Sequence, residues 1–249
     1  MNNPLRYIAR IAIEFKTPFL ISTGEDDCLA DSVFVADMNG LPTLPGSSIT
    51  GVLRHKFQKF KQDKDNDIVD KLFGYQKGEQ GEGSRLTVSW GCIHDKDNKP
   101  VEGIFDNAEL LKDKVLLNAL NGFTRDHVRI NHRGTADKEE HGKFDERCVP
   151  AGHRFTFEMM LEGNKNDKED WKNLLDIITS DSMRLGGKTR RGLGAFEVIM
   201  LQEAVFDLET ENDFNRFSNH PVELSKELPK DAAMPDKKDS HKGIQFGND

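Results

Sequence analysis

The sequence predicts an α+β fold in which two successive β-α-β units form one four-stranded antiparallel sheet with two helices on one face. Four segments have the alternation or composition of strands, at residues 6–15, 85–93, 154–162 and 195–203. Two further segments repeat apolar residues at the spacing of a helix face, one opening at 44–48 and one spanning 167–180. The resulting order, βαββαβ, is the split arrangement called ferredoxin-like.

The first unit opens with the strand RYIARIAIEF at 6–15. The motif Leu44-Pro45-Gly46-Ser47-Ser48 then begins a helix, because a serine is a favourable N-cap. The apolar residues after it share one face, namely Ile49, Val52, Leu53, Phe57 and Phe60. A second short helix is predicted at 67–73, ending at Gly74, and a glycine-rich loop is predicted at 75–84.

The second unit repeats the pattern with the strand at 154–162, a helix carrying an apolar face, and the final strand at 195–203. Large polar insertions, which account for much of the remaining chain, lie near 16–46 and 94–153, the latter with a helical piece near 107–119. Residues 1–217 are therefore predicted to form one domain. Over 218–249 Pro, Asp and Lys dominate, which predicts a disordered or loosely docked tail.

Composition narrows the class of protein. Of the 249 residues 36% are hydrophobic and 31% charged, with a net charge of -8. No run of about 18 apolar residues exists, so no membrane contact is expected, and the N-terminus lacks the apolar core of a secretory signal. Three widely spaced cysteines argue against a disulfide framework and predict a reducing, cytoplasmic location: Cys28, Cys92 and Cys148. The acidic balance argues against nucleic acid on average, although local charge decides such binding.

Metal-binding patterns are weak. No C-x-x-C or H-E-x-x-H pairing supports a zinc site. His127, His132 and His141 form a loose cluster. Their spacing in a polar segment favours solvated loop histidines over metal ligands.

The clearest functional signal is the segment GGKTRRGLG at 186–194. Its four glycines permit positive φ and close approach of a ligand to the backbone, and turned amides can bind an anion. No acidic residue lies between 183 and 196. A Walker motif and a dinucleotide fingerprint are excluded, because the lysine pattern is absent and a strand follows the glycines. The segment predicts a phosphate or nucleic-acid backbone site at Gly186, Gly187, Lys188, Arg190 and Arg191.

The helix start at 44–48 is the second signal. Unpaired amides and two hydroxyls at a helix N-terminus suit an anion, and basic residues follow on the same helix. Beside the glycine-rich segment, this start makes an RNA-backbone contact plausible through Ser47, Ser48, Arg54 and Lys56. Taken alone, a plain capped helix explains the same motif.

A basic hairpin is predicted within 124–150. Val128 and Ile130 alternate with polar neighbours as in a strand, and an acidic stretch marks a loop tip. Three arginines recur every four residues, which spreads positive charge suited to displaced bases and phosphates: Arg125, Arg129 and Arg133. A surface loop of mixed charge is the alternative interpretation.

These motifs together resemble the RAMP superfamily, and more narrowly the repeated backbone subunit of type III CRISPR effector complexes. The resemblance covers about 6–205 and rests on PGSSITGVLR, Leu72-Phe73-Gly74 and GGKTRRGLGAFEV. It implies an RRM-related ferredoxin-like core, polymerisation along a CRISPR RNA beside copies of itself or related subunits, and a thumb-like β-hairpin. That hairpin interrupts the duplex between guide and target RNA at regular intervals.

The resemblance also implies a catalytic carboxylate. In nuclease-active members an aspartate in the loop before PGSS cuts target RNA with a divalent metal such as Mg²⁺. That position corresponds to Asp31, with Asp26 and Asp27 as nearby alternates. The RNA supplies its own 2′-OH nucleophile, and the carboxylate would act as a base or hold the metal. Without the resemblance, the residues themselves favour a solvated loop aspartate at Asp31.

Other functions stay open at this point. The chain could bind RNA as a scaffold without cutting it, or could process the guide precursor as a related endoribonuclease. Precursor processing often uses histidine, and His55 lies on the PGSS helix among basic residues without an evident partner. A nucleotide-binding enzyme built on the glycine-rich segment lacks any supporting motif.

Overall fold

The computed structural model describes residues 3–22, 33–61, 66–104, 106–128 and 143–220. Within them lie six α-helices: α1 Gly46–Phe60, α2 Asn66–Phe73, α3 Asn107–Leu110, α4 Lys114–Asn121, α5 Lys168–Ile178 and α6 Glu211–Ser218. The same residues contain nine strands: β1 Leu5–Phe15, β2 Tyr75–Lys77, β3 Gln80–Glu82, β4 Leu86–Val88, β5 Cys92–Ile93, β6 Phe123–Val128, β7 Lys143–Cys148, β8 Arg154–Gly163 and β9 Phe196–Asp207.

The main sheet has the strand order β4-β8-β1-β9, with β5 also paired to β8. Its pairings are antiparallel, and Leu5 of β1 lies opposite Gly163 of β8 and Asp207 of β9. The sheet is antiparallel as predicted, but the predicted strand 85–93 is divided between β4 and β5. Between β4 and β5, Gly91 exchanges backbone hydrogen bonds with Leu44, which interrupts the pairing of this segment with β8.

The core lies between this sheet and the two long helices. Tyr7 and Ile11 of β1 share one buried cluster with Leu53 of α1 and Leu174 of α5. These β1 positions are odd-numbered, and side chains alternate across a strand. The sequence periodicity therefore identified the buried face correctly, and α1 contacts α5 above it.

The opposite face of the sheet is charged over much of its length. Arg10 and Glu158 pair across β1 and β8 at 2.7 Å, and Arg154 and Glu14 pair at 2.8 Å. At one end α6 covers the sheet, and its Phe217 packs edge-on to Phe206 of β9. Helix α6 was not predicted. Its apolar stripe is short, and its mostly polar composition resembles that of the tail predicted to begin at 218.

The predicted serine N-cap of α1 is wrong. The helix begins at Gly46, Pro45 occupies the N-cap position, and no side chain caps it. A Cβ on Gly46 would collide with the carbonyl oxygen of Val88 in β4. Glycine is therefore needed where α1 meets the sheet, which places Ser47 and Ser48 inside the first turn.

Two loop predictions also need correction. The predicted glycine-rich loop at 75–84 contains the small antiparallel hairpin of β2 and β3. The helical piece predicted near 107–119 is two helices, α3 and α4. Asp113 separates them, since its carboxylate caps α4 by accepting hydrogen bonds from the Val115 and Leu116 amides.

The hairpin predicted within 124–150 is present as β6 and β7. The two strands pair antiparallel from Phe123 opposite Cys148 to Val128 opposite Lys143. At its base Val149 exchanges backbone hydrogen bonds with Phe19, which stacks on Phe15 at a ring separation of 3.8 Å. The base of the hairpin is therefore hydrogen-bonded to a residue of the aromatic part of the core.

Candidate nucleic-acid interface

The basic loop, residues 186–194, has the unusual backbone that its glycines predict. Positive φ occurs at Gly186 (92°), Lys188 (56°), Gly192 (89°) and Gly194 (76°), around a short 3₁₀ turn at Thr189–Arg191. A Cβ at Gly186 would collide with the Leu20 carbonyl oxygen. Glycine is required here by both conformation and space.

The base of the basic loop is bonded to the segment that follows β1. The Gly187 amide donates to the Leu20 carbonyl at 2.7 Å, and the Gly194 amide donates to the Pro18 carbonyl at 2.9 Å. Arg190 and Arg191 stand exposed on the 3₁₀ turn between these anchors. The fold therefore presents two guanidinium groups on a turn that is hydrogen-bonded to the fold on both sides, a geometry suited to phosphate.

Lys188 contacts the hairpin. Its Nζ lies 3.1 Å from Oε1 of Glu146 on β7, and His127 Nε2 of β6 lies 3.1 Å from Oε2 of the same carboxylate. The Glu146 side chain is only 3% exposed. His127 is therefore not the solvated loop histidine that was predicted, since its side chain is only 17% exposed and is paired. His132 and His141 lie outside the described residues.

The basic residues of α1 have partners within the fold. Arg54 bonds Asp70 of α2 at 2.9 Å and the Gly74 carbonyl at 3.0 Å, while Lys56 donates to the Ser182 carbonyl at 2.9 Å. Ser47 is exposed and Ser48 is half-buried on the first turn. In the described residues Arg54 joins α1 to α2, and Lys56 joins α1 to the segment that leads into the basic loop.

The arginines of the hairpin are divided by what the structure describes. Arg125 of β6 is half-buried beside Cys148: burial raises the pKa of this thiol, and a hydrogen bond from Arg125 offsets part of the rise. Arg129 and Arg133 lie outside the described residues. Their predicted contacts with nucleic acid stay predictions.

Asp31 and its alternates Asp26 and Asp27 also lie outside the described residues. The residues that flank this segment are described. The Val35 amide donates to the Ile21 carbonyl at 2.8 Å, and Ser22 pairs with Phe34 in an isolated bridge. Leu20, next to Ile21, accepts a hydrogen bond from the Gly187 amide, so the described residues that flank 23–32 lie near the basic loop.

The described residues contain no group of three or more His, Cys, Asp or Glu side chains that could hold a metal ion. The buried histidines serve the fold instead. Both nitrogens of His94 are hydrogen-bonded, to Asn98 and Thr156, and burial lowers its pKa. The described part of the chain therefore offers no ready metal site. No described helix is long and apolar enough to cross a membrane.

The fold and the basic loop define a mixed α/β protein with a basic, glycine-rich turn beside a β-hairpin. The family model for the RAMP superfamily matches residues 12–197. The chain belongs to the RAMP superfamily, as its motifs predicted. No curated protein matches the sequence.

Solved structures share the fold at low identity. A chain of "Type III-B Cmr-beta Cryo-EM structure of the Apo state" has a TM-score of 0.56 and 16% identity, over 77% of this chain and 96% of that one. A chain of "Cryo-EM structure of the Type III-B Cmr-beta bound to cognate target RNA" has a TM-score of 0.55 and 14% identity, over 77% and 96%. A chain of "Type IV-B CRISPR Complex" has a TM-score of 0.53 and 14% identity, over 80% and 90%.

The residues that sequence reasoning missed are Glu146 and the Leu20 carbonyl. An acidic residue in a hairpin strand carries no local signal that it will pair with a loop far along the chain. Leu20 contributes a backbone atom, which no side-chain motif reveals. Both were found only because the structure brings the hairpin, the basic loop and the segment after β1 together.

Proposed function

We propose that this chain is a backbone subunit of a type III CRISPR effector complex and binds the sugar-phosphate backbone of a CRISPR RNA. The observation that carries the proposal is the basic loop, with Arg190 and Arg191 exposed on an anchored turn and no acidic residue between 183 and 196. Family membership and the likeness to chains of CRISPR complexes support it. The βαββαβ order within one antiparallel sheet supports a ferredoxin-like core.

The RNA contacts proposed for the subunit centre on the basic loop. Gly186 and Gly187 let the RNA backbone approach, and the arginines neutralise phosphates. The first turn of α1, with Ser47 and Ser48, is proposed as a second backbone contact. Arg54 and Lys56 keep α1 in place and add to the positive field. Arg125, Arg129 and Arg133 are proposed to place positive charge along the hairpin, next to the duplex of guide and target RNA.

Charge reversal tests RNA binding. The double change Arg190→Glu and Arg191→Glu should weaken binding to unrelated RNA sequences alike, because backbone contacts carry no base information. Each lost phosphate contact should also lower the steepness of the salt dependence by about 0.7 in log–log slope for single-stranded RNA. The matched control is Lys168→Glu at the exposed start of α5 with Lys165→Glu in the 3₁₀ turn just before it, which changes the net charge equally. If both double variants weaken RNA binding equally, the effect is nonspecific electrostatic attraction and does not support an RNA site at Arg190 and Arg191.

We further propose that Asp31 is the carboxylate that cleaves target RNA. The described residues on either side of 23–32 lie near the basic loop, and RNA carries a 2′-OH next to each scissile phosphate. The carboxylate can accept the proton of that hydroxyl as its oxygen attacks phosphorus, while the bond to the 5′ oxygen of the next nucleotide breaks and that oxygen takes a proton from water. The test is cleavage of target RNA by the assembled complex with Asp31→Asn, beside Asp26→Asn and Asp27→Asn as matched controls. If the complex with Asp31→Asn binds target RNA and still cuts it at regular intervals, Asp31 is not the catalytic carboxylate.

The competing scaffold function and the cation requirement are outcomes of the same assay. If the unaltered complex binds target RNA and never cuts it, the chain is a scaffold subunit. Guide processing instead predicts cleavage of precursor RNA without any target. Mg²⁺ or another divalent cation at Asp31 is proposed from the family resemblance alone, and chelation should abolish cutting while leaving RNA binding intact.

The proposed partners are CRISPR RNA, target RNA, further copies of this chain or related subunits, and the remaining subunits of the effector complex, all in the cytoplasm. Purification of the tagged chain from its native cell tests this directly. We expect RNA of discrete lengths to accompany the protein. Absence of bound RNA would weaken every RNA-binding function considered for the chain.

A further inference from the structure

A buried carboxylate joins the basic loop to the β6–β7 hairpin. The Glu146 side chain is 3% exposed, and its two oxygens contact nitrogen atoms from two separate parts of the chain. Lys188 of the basic loop approaches Oε1 at 3.1 Å, and His127 of β6 approaches Oε2 at 3.1 Å. A carboxylate withdrawn from water is stable only while such partners stay in place. The contacts of Glu146 therefore constrain the hairpin and the loop together.

The backbone of Lys188 shows that the loop is held under constraint. Its φ of 56° and ψ of 27° are left-handed. Among the described residues other than glycine, Asn98 alone shares a positive φ with it. This region is unfavourable for a lysine, and such residues persist where the surroundings hold them. The ammonium group at the end of the same side chain is the atom that Glu146 contacts.

We propose that Glu146 is a positioning residue that locks the basic loop onto the hairpin, so that the two behave as one unit when RNA binds. The proposal rests on the proposed RNA-binding function of that loop. Lys188 sets the loop's conformation through Glu146, and Arg190 and Arg191 carry the charge that meets phosphate. Because coupling between sites is reciprocal, RNA on the loop also stabilises the hairpin contact of Glu146.

An ordinary surface ion pair would not have this effect. Exposed pairs contribute little, because water screens them and their side chains lose freedom. The pair of Arg6 and Glu162 is of that kind, at 3.7 Å with the glutamate side chain 48% exposed. Glu146 differs in its burial, and its two partners come from β6 and from the basic loop. These two glutamates provide a matched pair for experiment.

Native-state trypsin digestion of the full chain without RNA tests the lock. The cleavable bonds after Arg190 and Arg191 lie in the basic loop, and cleavage there reports local opening. Glu146→Gln keeps the side chain's size and removes its charge. We expect cleavage at these bonds to accelerate about tenfold or more, the scale of one lost charge-assisted hydrogen bond to a buried group. Glu162→Gln should leave the rate unchanged.

Lys188→Met tests the lock from the other side, and it serves if Glu146→Gln fails to fold, because Lys188 is partly exposed. It should accelerate cleavage to a similar extent, and the double variant should add little more, since the contact between Lys188 and Glu146 is removed by either change. Unchanged cleavage in the single variants overturns the proposal. Effects that simply add in the double variant overturn it as well.

RNA binding by the same variants separates this proposal from the proposed function. Glu146→Gln should weaken RNA binding without altering the preference among sequences. An opened loop with unchanged RNA affinity overturns the coupling between hairpin and RNA. If Arg190→Glu with Arg191→Glu also leaves affinity unchanged, the proposed RNA site itself is wrong, whatever the digestion shows.

Discussion

Replacing Gly186 by alanine should destabilise the fold more than the same replacement at Gly192. The two residues have almost the same φ, 92° and 89°. A Cβ on Gly186 would collide with the Leu20 carbonyl oxygen, whereas a Cβ on Gly192 would meet nothing within 4 Å. The comparison therefore separates the cost of the backbone conformation from the cost of the close approach.

The expected magnitudes follow from these two environments. A left-handed conformation costs alanine about 1–2 kcal/mol, and Gly192→Ala should lose only that. At Gly186 the methyl group must also displace the Leu20 carbonyl, which accepts a hydrogen bond from the Gly187 amide at 2.7 Å. Losing that bond adds about 1 kcal/mol, and residual overlap adds on the order of 1 kcal/mol more. We therefore expect a total loss of about 3–4 kcal/mol for Gly186→Ala.

Urea unfolding followed by far-ultraviolet circular dichroism measures this difference, provided that the dependence on denaturant is the same in both variants. A clearly lower midpoint for Gly186→Ala than for Gly192→Ala is the expected result. Equal midpoints would show that the Leu20 contact is relieved without cost. In that case the close packing of the basic loop on the segment after β1 would not be what requires glycine.

Three further predictions concern stability. Burial lowers the pKa of His153, so the unfolded chain binds its proton more readily, and stability should fall as the pH drops below about 6.5; His153→Gln should lessen that fall. Burial raises the pKa of Asp167, but hydrogen bonds led by Arg85 lower it overall. The ionised carboxylate therefore stabilises the fold at neutral pH, and this stabilisation should be lost only below about pH 4. Asp167→Asn should remove this stabilisation. Phe19→Ala should cost about 3–5 kcal/mol in chemical unfolding, because its ring is buried in the aromatic core, whereas the exposed Phe60→Ala should change stability by about 0.5 kcal/mol or less.

Each of these three predictions has a result that contradicts it. A His153→Gln variant as acid-sensitive as the unaltered protein would show that this histidine titrates normally in the fold. Equal acid profiles below about pH 4 with and without Asp167 would mean that its pair with Arg85 adds no stability. Equal losses at Phe19 and Phe60 would contradict the assigned core.

The regular elements were predictable because each carries a local pattern. The alternation in 6–15 predicted β1 almost to the residue. The apolar spacing after Gly46 predicted the buried face of α1 except at Phe60, which is 55% exposed at the end of the helix. The pairing of these elements into one antiparallel sheet followed from their order. The capping of α1 was not predictable, because it depends on Gly46 packing against Val88 of a strand that is distant in the sequence.

The candidate site was predicted in part. Glycines and cations in 186–194 indicated an anion-binding loop, since composition alone reveals charge and backbone freedom. The same reasoning grouped Lys188 with Arg190 and Arg191 as equivalent cations. The structure separates them, because the Lys188 ammonium contacts a buried carboxylate while the arginines are exposed.

Sequence alone predicted the order of the main strands and helices, most of the buried faces, the basic composition of 186–194 and the family of this protein. These properties arise from side chains that are neighbours along the chain or repeat with a fixed period. Folding alone determined that Leu20 anchors the basic loop and that Glu146 joins it to the hairpin. Such contacts depend on which segments the core brings together. A buried charge must be paired, and its partner is an oppositely charged group that the fold places next to it.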